Sequence, residues 1–335
     1  MLQGAIDMRK TFINLSILVP IILLSACDSN EVSENSTPAN TEEKAAVQTT
    51  DQQQVAAPVE SETRAESESK VEPEIIAAAP ALSGEALYTS DKAPDSMLYD
   101  KPQKVIDGVW SAIGATAPAR YENSGHNNNL SFVITTEGVL VVNAGGSYLL
   151  AEALHTEIKK ITDQPVKYVV LENGQGHAML GSGYWKEQGA TVIAHKDAAH
   201  EIEEKSIDIL EQQKEVMKDK ADGTKVVMPD ETFEDKKIIE MGGERIELLN
   251  LGPAHSPGDI IVWLPQKQLV ISGDMAFHQR MLPLFEETDT AAWRDSWDNC
   301  AALDATYVIP GHGEPSDMAA VARSTEDYRV CLGEM

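Results

Sequence analysis

Hydrophobic and polar positions change character twice along this chain. Thr11 to Leu24 is an apolar run of 14 residues, too short to span a bilayer comfortably. From Asp28 to about Ala93 no hydrophobic period persists. From about Lys101 onward, period-2 and period-3.6 segments alternate. Val105 to Ile113 predicts a strand, and Leu130 to Ile134 a second. Thr136-Glu137-Gly138 predicts a turn into a third strand, Val139 to Val142. Ser147 opens an amphipathic helix with Leu150, Ala153, Leu154, Ile158 and Ile161 at helical spacing. Val166 to Leu171 predicts a buried strand, Leu180 to Gln188 a helix, Thr191 to Ala194 a strand and Ala198 to Lys218 a long helix. Hairpin strands are expected from Lys236 to Ser272. A helix over Thr290 to Leu303, a strand over Thr306 to Ile309 and a helix over Met318 to Cys331 complete the series. Helices that bracket two groups of strands predict a layered α/β domain.

The apolar run is preceded by Arg9-Lys10 and ends in Leu24-Ser25-Ala26-Cys27. Met8 is a natural start for this segment, since Asp7 is unusual in a positive n-region. The tetrapeptide resembles a bacterial lipobox, in which small residues admit the peptidase and the Cys27 thiol takes a lipid. An ordinary cleaved signal peptide with an incidental cysteine is the alternative. The lipobox reading divides the chain into a signal peptide (1–26), a disordered acidic tether (27–100) and a folded domain (101–335). A flexible tether of that length would span about 40–50 Å on average. The expected location is the cell envelope, lipid-anchored on the periplasmic side. Asp28 resembles a signal for retention at the inner membrane.

Charge narrows the partners. The net charge is −27, with 16 acidic against 4 basic residues between Asp28 and Asp100. Nucleic acid is excluded, because phosphate binding needs clustered Lys and Arg. The expected partners are a small-molecule substrate and, through the N-terminal lipid, the membrane. Cys300 and Cys331 either pair, which would contribute about 3–4 kcal/mol in the chain-entropy model, or remain buried thiols.

Three segments carry ligand-competent side chains at the ends of predicted strands. They are Gly252-Pro253-Ala254-His255-Ser256-Pro257-Gly258-Asp259, Ile271-Ser272-Gly273-Asp274 and Ile309-Pro310-Gly311-His312-Gly313. A rigid sheet fixes groups at its strand ends, and glycines there let backbone approach a metal or substrate closely. In order and spacing the three resemble the metallo-β-lactamase superfamily, over about Lys101 to the C-terminus. The resemblance implies an αββα sandwich, two mixed sheets with helices on both outer faces and a metal site at one edge. His255 and His312 match metal-binding histidines and Asp274 the metal-bridging aspartate.

The first motif departs from the family's His-x-His-x-Asp-His. Anchored on Leu180-Gly181, Asn173 and Gln175 occupy the leading His positions, His177 the Asp position and Ala178 the last His position. Slipped by one residue, Glu172 takes the first His position, Gly176 the Asp position and His177 the last His position. Either register leaves His177, His255, Asp274 and His312 as the metal set, with His177 and Asp274 as the groups acting on water. That set matches one Zn²⁺ better than two ions. Asn173 and Gln175 are expected to support the site by hydrogen bonding, and Asn143, after a strand, to do the same. His195 and His278 are further candidates to touch substrate. The implied activity is hydrolysis of a small ester, lactone or amide. The alternative is a catalytically degenerate, lipid-anchored protein that binds a metal or ligand.

Overall fold

The computed structural model describes residues 93, 95–286 and 288–324. The signal peptide, Cys27, most of the tether and Cys331 lie outside the described residues, as does any Cys300–Cys331 pairing. Among the described residues no helix is long and apolar enough to cross a membrane.

Two sheets form. The first has seven strands in sequential order: β1 (Gln103–Ile106), β2 (Val109–Ala112), β3 (Leu130–Ile134), β4 (Val139–Val142), β5 (Val166–Val170), β6 (Thr191–His195) and β7 (Glu231–Phe233). The single strand predicted over 105–113 is two, because Gly108 turns the chain at φ +76° and β1 pairs back antiparallel on β2. The short β7 has no alternating pattern of its own and was not predicted. The second sheet has the order β13-β12-β11-β10-β9-β8. Its strands are β8 (Lys236–Met241), β9 (Glu244–Leu249), β10 (Ile261–Leu264), β11 (Leu269–Phe277), β12 (Tyr307–His312) and β13 (Ser316–Asp317).

Alternation along the strands builds three apolar layers. Leu140, Val142 and Ile193 face Ile246, Val262 and Ile271 between the sheets. Their neighbours Val139, Val141 and Val192 point outward against α1 (Tyr148–Ile161), α3 (Ser182–Glu187) and α4 (Lys196–Met217). On the other side, Ile261, Val270 and Val308 pack against Trp293, Trp297 and Cys300 of α5 (Thr290–Ala301). A helix beginning at Met318 adds Val321 to that layer. The architecture is the expected αββα sandwich. The helix predicted over 180–188 is preceded by a separate turn, α2 (Gly176–Met179).

β4, β5 and β6 run parallel, as do β11 and β12. Their carboxyl ends bring loops from both sheets together, which is where open α/β sheets place their chemistry. Upstream, Leu98 is fully buried, and the Tyr99 amide donates to His126 Nδ1 at 2.8 Å. His126 also closes its own loop, through its amide to the Asn123 carbonyl and its carbonyl to Ala115.

Burial holds the His126 imidazole down at about 4, against an ordinary 6.5. A base depressed in the fold takes up fewer protons there than in the unfolded chain. Stability is therefore full above pH ~6.5 and falls as pH drops towards ~4, by roughly 3 kcal/mol from this group. Urea midpoints measured with chelator at about pH 7 and about pH 5 should differ strongly, and His126→Gln should shrink that difference. An undiminished difference in the variant would place the proton uptake elsewhere.

Candidate metal centre

The site is assembled from five chain segments whose backbones are tied together before any side chain is considered. Asn143, just past β4, adopts a left-handed φ of +70°, which Asn tolerates better than most residues. Its amide donates to the Val170 carbonyl, and its Oδ1 accepts from the Glu172 amide at 3.1 Å. The Glu172 carbonyl accepts from the Ile260 amide at 2.9 Å, joining the first motif to the strand that follows the His255 loop. The first turn of α4 braces both loops. A Cβ on Gly174 would stand 2.8 Å from the Ala198 carbonyl oxygen, and one on Gly258 would stand 2.3 Å from the Ala198 amide. Parallel pairing of β11 and β12 sets Asp274 beside Gly311, where a Cβ would meet Asp274 Oδ1 at 2.5 Å.

Asp274 is the hub and is 1% exposed. His312 Nε2 lies 3.2 Å from its Oδ1, and His177 Nε2 lies 3.5 Å from its Oδ2. The ligand atoms of His177, Asp274 and His312 all fall within 4.8 Å of one another. His255 Nε2 stands 3.8 Å from Asp274 Oδ2 and is not part of that mutual cluster. Aromatic rings fix the imidazoles. Phe277 stacks on His312 at 4.9 Å, while Trp293 and Phe285 pack on His255 at 5.8 and 4.9 Å. His312 Nδ1 lies between Arg280 Nη1, at 2.7 Å, and the Asn127 carbonyl. Either tautomer of His312 therefore has a partner at Nδ1, and Nε2 can hold a proton or a metal.

Asn173 settles its own role by geometry. Its Nδ2 donates to Asp259 Oδ1 at 3.1 Å and to Asp274 Oδ2 at 3.3 Å. Its Oδ1 accepts from the Gln175 amide at 3.0 Å. In this orientation Asn173 shows its N–H groups to Asp259 and Asp274 and turns its Oδ1 to the Gln175 amide. Asp259 in turn accepts from the Ser256 amide in the His255 loop.

The buried charges sort themselves. Burial alone would raise Asp274, but His177, His312 and His255 outweigh it and hold the carboxyl far below the usual range. Burial, then the charge of Asp274, pushes Asp259 well up. The same two causes push Glu172 up. Burial opposes protonation of His177, but Asp274 and Glu172 outweigh it and raise its pKa. Glu172 Oε1 is 3.1 Å from His177 Nε2. His177 thus lies between Glu172 and Asp274, and any metal bound at its Nε2 would compete with a proton there.

The first motif thus contributes residues from both sequence registers. Asn173 enters as the first register has it and Glu172 as the second has it, with His177 in the cluster. Glu172 fits because Gly273, at φ +52°, has no Cβ; one there would lie 1.9 Å from Glu172 Oε2. Gln175 is the N-cap residue of α2, with no side-chain cap bond. Asn143 Oδ1 accepts from the Glu172 amide. The two substrate candidates go elsewhere. His195 ends β6 and accepts from the Asp197 amide at 3.3 Å, capping α4, with its ring edge-on to Phe233. His278 Nδ1 pairs with Ser324 Oγ at 2.9 Å. Sequence reasoning passed over Arg280, the lone cation between Phe277 and Phe285, and Asp259, which sits inside a recognised motif. A surface groove of about 650 Å³, lined by Ser96, Met97, Lys101 and α1, contains none of these residues.

Comparison with known proteins agrees with this geometry. The family model described as the metallo-beta-lactamase superfamily matches residues 176–312. A metallo-beta-lactamase type 2 from Bacteroides fragilis is 23% identical over 194 residues, covering 54% of this chain and 70% of that protein. A linear primary-alkylsulfatase from Pseudomonas sp. (strain ATCC 19151) is 26% identical over 110 residues, 30% of this chain and 21% of that enzyme. A solved structure titled a metallo-beta-lactamase from Pontibacter korlensis superposes with a TM-score of 0.58 at 21% identity. It covers 70% of this chain and 99% of that one, a likeness of fold.

Gly258→Ala tests the brace. Its Cβ meets backbone rather than a movable side chain, so the His255 loop or the first turn of α4 must shift. A loss of about 1–3 kcal/mol is expected by thermal or urea unfolding, together with weakened metal retention. A variant with unchanged melting and metal content would show that the contact is not tight.

Proposed function

We propose that the described domain is a metallo-β-lactamase-superfamily hydrolase, similar to that family over residues 176–312, working with one divalent cation, most naturally Zn²⁺. The observation that carries this is the mutual approach of His177, Asp274 and His312 within 4.8 Å. Two imidazole nitrogens and a carboxylate form a three-group set that leaves a coordination position open, the pattern of catalytic rather than closed zinc sites. A cation held there supplies Lewis acidity and activates water near neutral pH. Asn173 supports a count of one. It fills the space beside Asp274 Oδ2 with donor hydrogens, where the family's first motif would offer a histidine.

The chain's own groups take distinct roles. Glu172 Oε1, 3.1 Å from His177 Nε2, receives the proton that His177 gives up. Asp274 holds both imidazoles in register through its two oxygens. His255, whose Nε2 lies 3.8 Å from the same Asp274 Oδ2 that His177 approaches, is the imidazole left to orient substrate or accept a proton from it. The substrate class in this reading is a small ester, lactone or amide. The lipobox-like Cys27 adds a lipid anchor on the periplasmic side of the inner membrane.

Elemental analysis of the purified chain is expected to give about one zinc per molecule. His177→Ala and Asp274→Ala should remove it. His255→Ala should retain it while lowering ester or lactone hydrolysis by about 10²-fold, the scale of a lost proton-transfer group. Metal-free protein of unchanged stability would overturn the reading. One bound metal with no hydrolysis across a chelator-controlled screen would favour the alternative, a lipid-anchored metal- or ligand-binding protein. Cys27→Ser should move the protein from the membrane fraction to the soluble fraction, and persistent membrane association would rule out the lipid anchor.

A further inference from the structure

The segment from Arg280 to Thr288 crosses the His255 side of the site and carries three large apolar side chains into solvent. Met281 is 76% exposed, Leu284 42% and Phe285 48%. No charged residue lies between Arg280 and Glu286. Exposed apolar side chains are ordinary when scattered singly, but three within five residues beside a polar site call for a physical account.

The segment is held at both ends. Upstream, the His278 amide donates to the His312 carbonyl, and Arg280 Nη1 donates to the Asn127 carbonyl at 3.4 Å. Downstream, Thr288 Oγ1 donates to the His255 carbonyl at 2.9 Å, and the Thr288 and Phe285 backbones close a turn. Leu282 faces inward and packs on the α5 layer. One anchor at each end of this strap is thus the carbonyl of a site histidine, His312 upstream and His255 downstream, with Asn127 accepting from Arg280 beside the first. Phe285 is continuous with the site, its ring 4.9 Å from that of His255.

We infer that Met281, Leu284 and Phe285 form a binding surface for an apolar alkyl or acyl group of the substrate, whose polar, cleavable end lies at the His177–Asp274–His312 cluster. This inference rests on the hydrolase reading for the reaction, but not for the binding surface. Continuity with His255 selects this occupant over a second copy of the chain or a lipid surface, since one anchor at each end of the strap is a site histidine.

The zinc-loaded full chain should be assayed on 4-nitrophenyl acetate, butyrate and octanoate, with saturation-transfer NMR of octanoate binding in chelator run in parallel. Each buried methylene is worth roughly fourfold, so kcat/KM for octanoate should exceed that for acetate by at least about tenfold. In Leu284→Ser/Phe285→Ser that ratio should fall towards one, and octanoate saturation transfer should disappear. Ile238→Ser, at another exposed apolar position, on β8, should leave the ratio as it was. Octanoate binding that depends on the strap, with no ester cleaved at any length, would uphold the surface and overturn the hydrolase reading. Ester cleavage with flat chain-length dependence and no octanoate binding would overturn the surface and leave the hydrolase reading standing. A strap variant that converts a dimer to a monomer in sedimentation, without changing the ratio, would also overturn it in favour of self-association.

Discussion

A carboxylate buried to 1% exposure cannot stay ionised unless its surroundings carry the opposite charge, and Asp274 organises this domain's functional edge around that requirement. Removing a charge from water costs several kcal/mol, repaid only by well-placed partners. Here the partners come from three different loops: His177 after β5, His255 between β9 and β10, and His312 at the end of β12. Each must be delivered to the same carboxylate. The backbone ties that deliver them, Asn143 to Glu172 and Glu172 to Ile260, therefore serve the charge as much as the fold. Gly273 and Gly311 belong to the same account, since a Cβ at either would occupy space now held by Glu172 or Asp274.

The altered first motif makes sense under this constraint. With fewer histidines available, the site still has to balance three buried carboxylates: Glu172, Asp259 and Asp274. Hydrogen-bond donors and protons contribute to that balance. The Asn173 amide hydrogens bridge Asp259 and Asp274. Asp259 is pushed towards its neutral form by burial and by Asp274. His177, raised by the two carboxylates it faces, supplies the remaining positive charge.

The layered fold was legible because alternation and helical spacing report burial directly. Leu140, Val142 and Ile193 on one face, with Val139, Val141 and Val192 on the other, already specify a sheet covered on both sides. The break at Gly108 was not, since a left-handed turn inside an apolar run leaves the period almost intact. His177, His255, Asp274 and His312 were legible as groups that the fold brings to one edge around Asp274. What sequence left open was the register of the first motif, because register is decided in three dimensions by where Asn173 and Glu172 find partners. His195 misled for a similar reason. It ends a parallel strand like a ligand, yet the next residues begin α4, and its ring is used to cap that helix. Arg280 escaped notice because a lone cation in an apolar run has no spacing to announce it.

The division of labour between core and edge explains how such a site can change without loss of the fold. None of the three apolar layers includes His177, Asn173 or Glu172. Substitutions in the first motif therefore act on charge balance at the sheet edge and leave the packed layers intact. The α4 turn sets the limit. Its Ala198 backbone touches both metal loops through Gly174 and Gly258, so side chains at 172, 173 and 177 can vary while the backbone carrying them cannot move. A site that is fixed in backbone and variable in side chain can change the groups that balance Asp274 without rebuilding the scaffold beneath it.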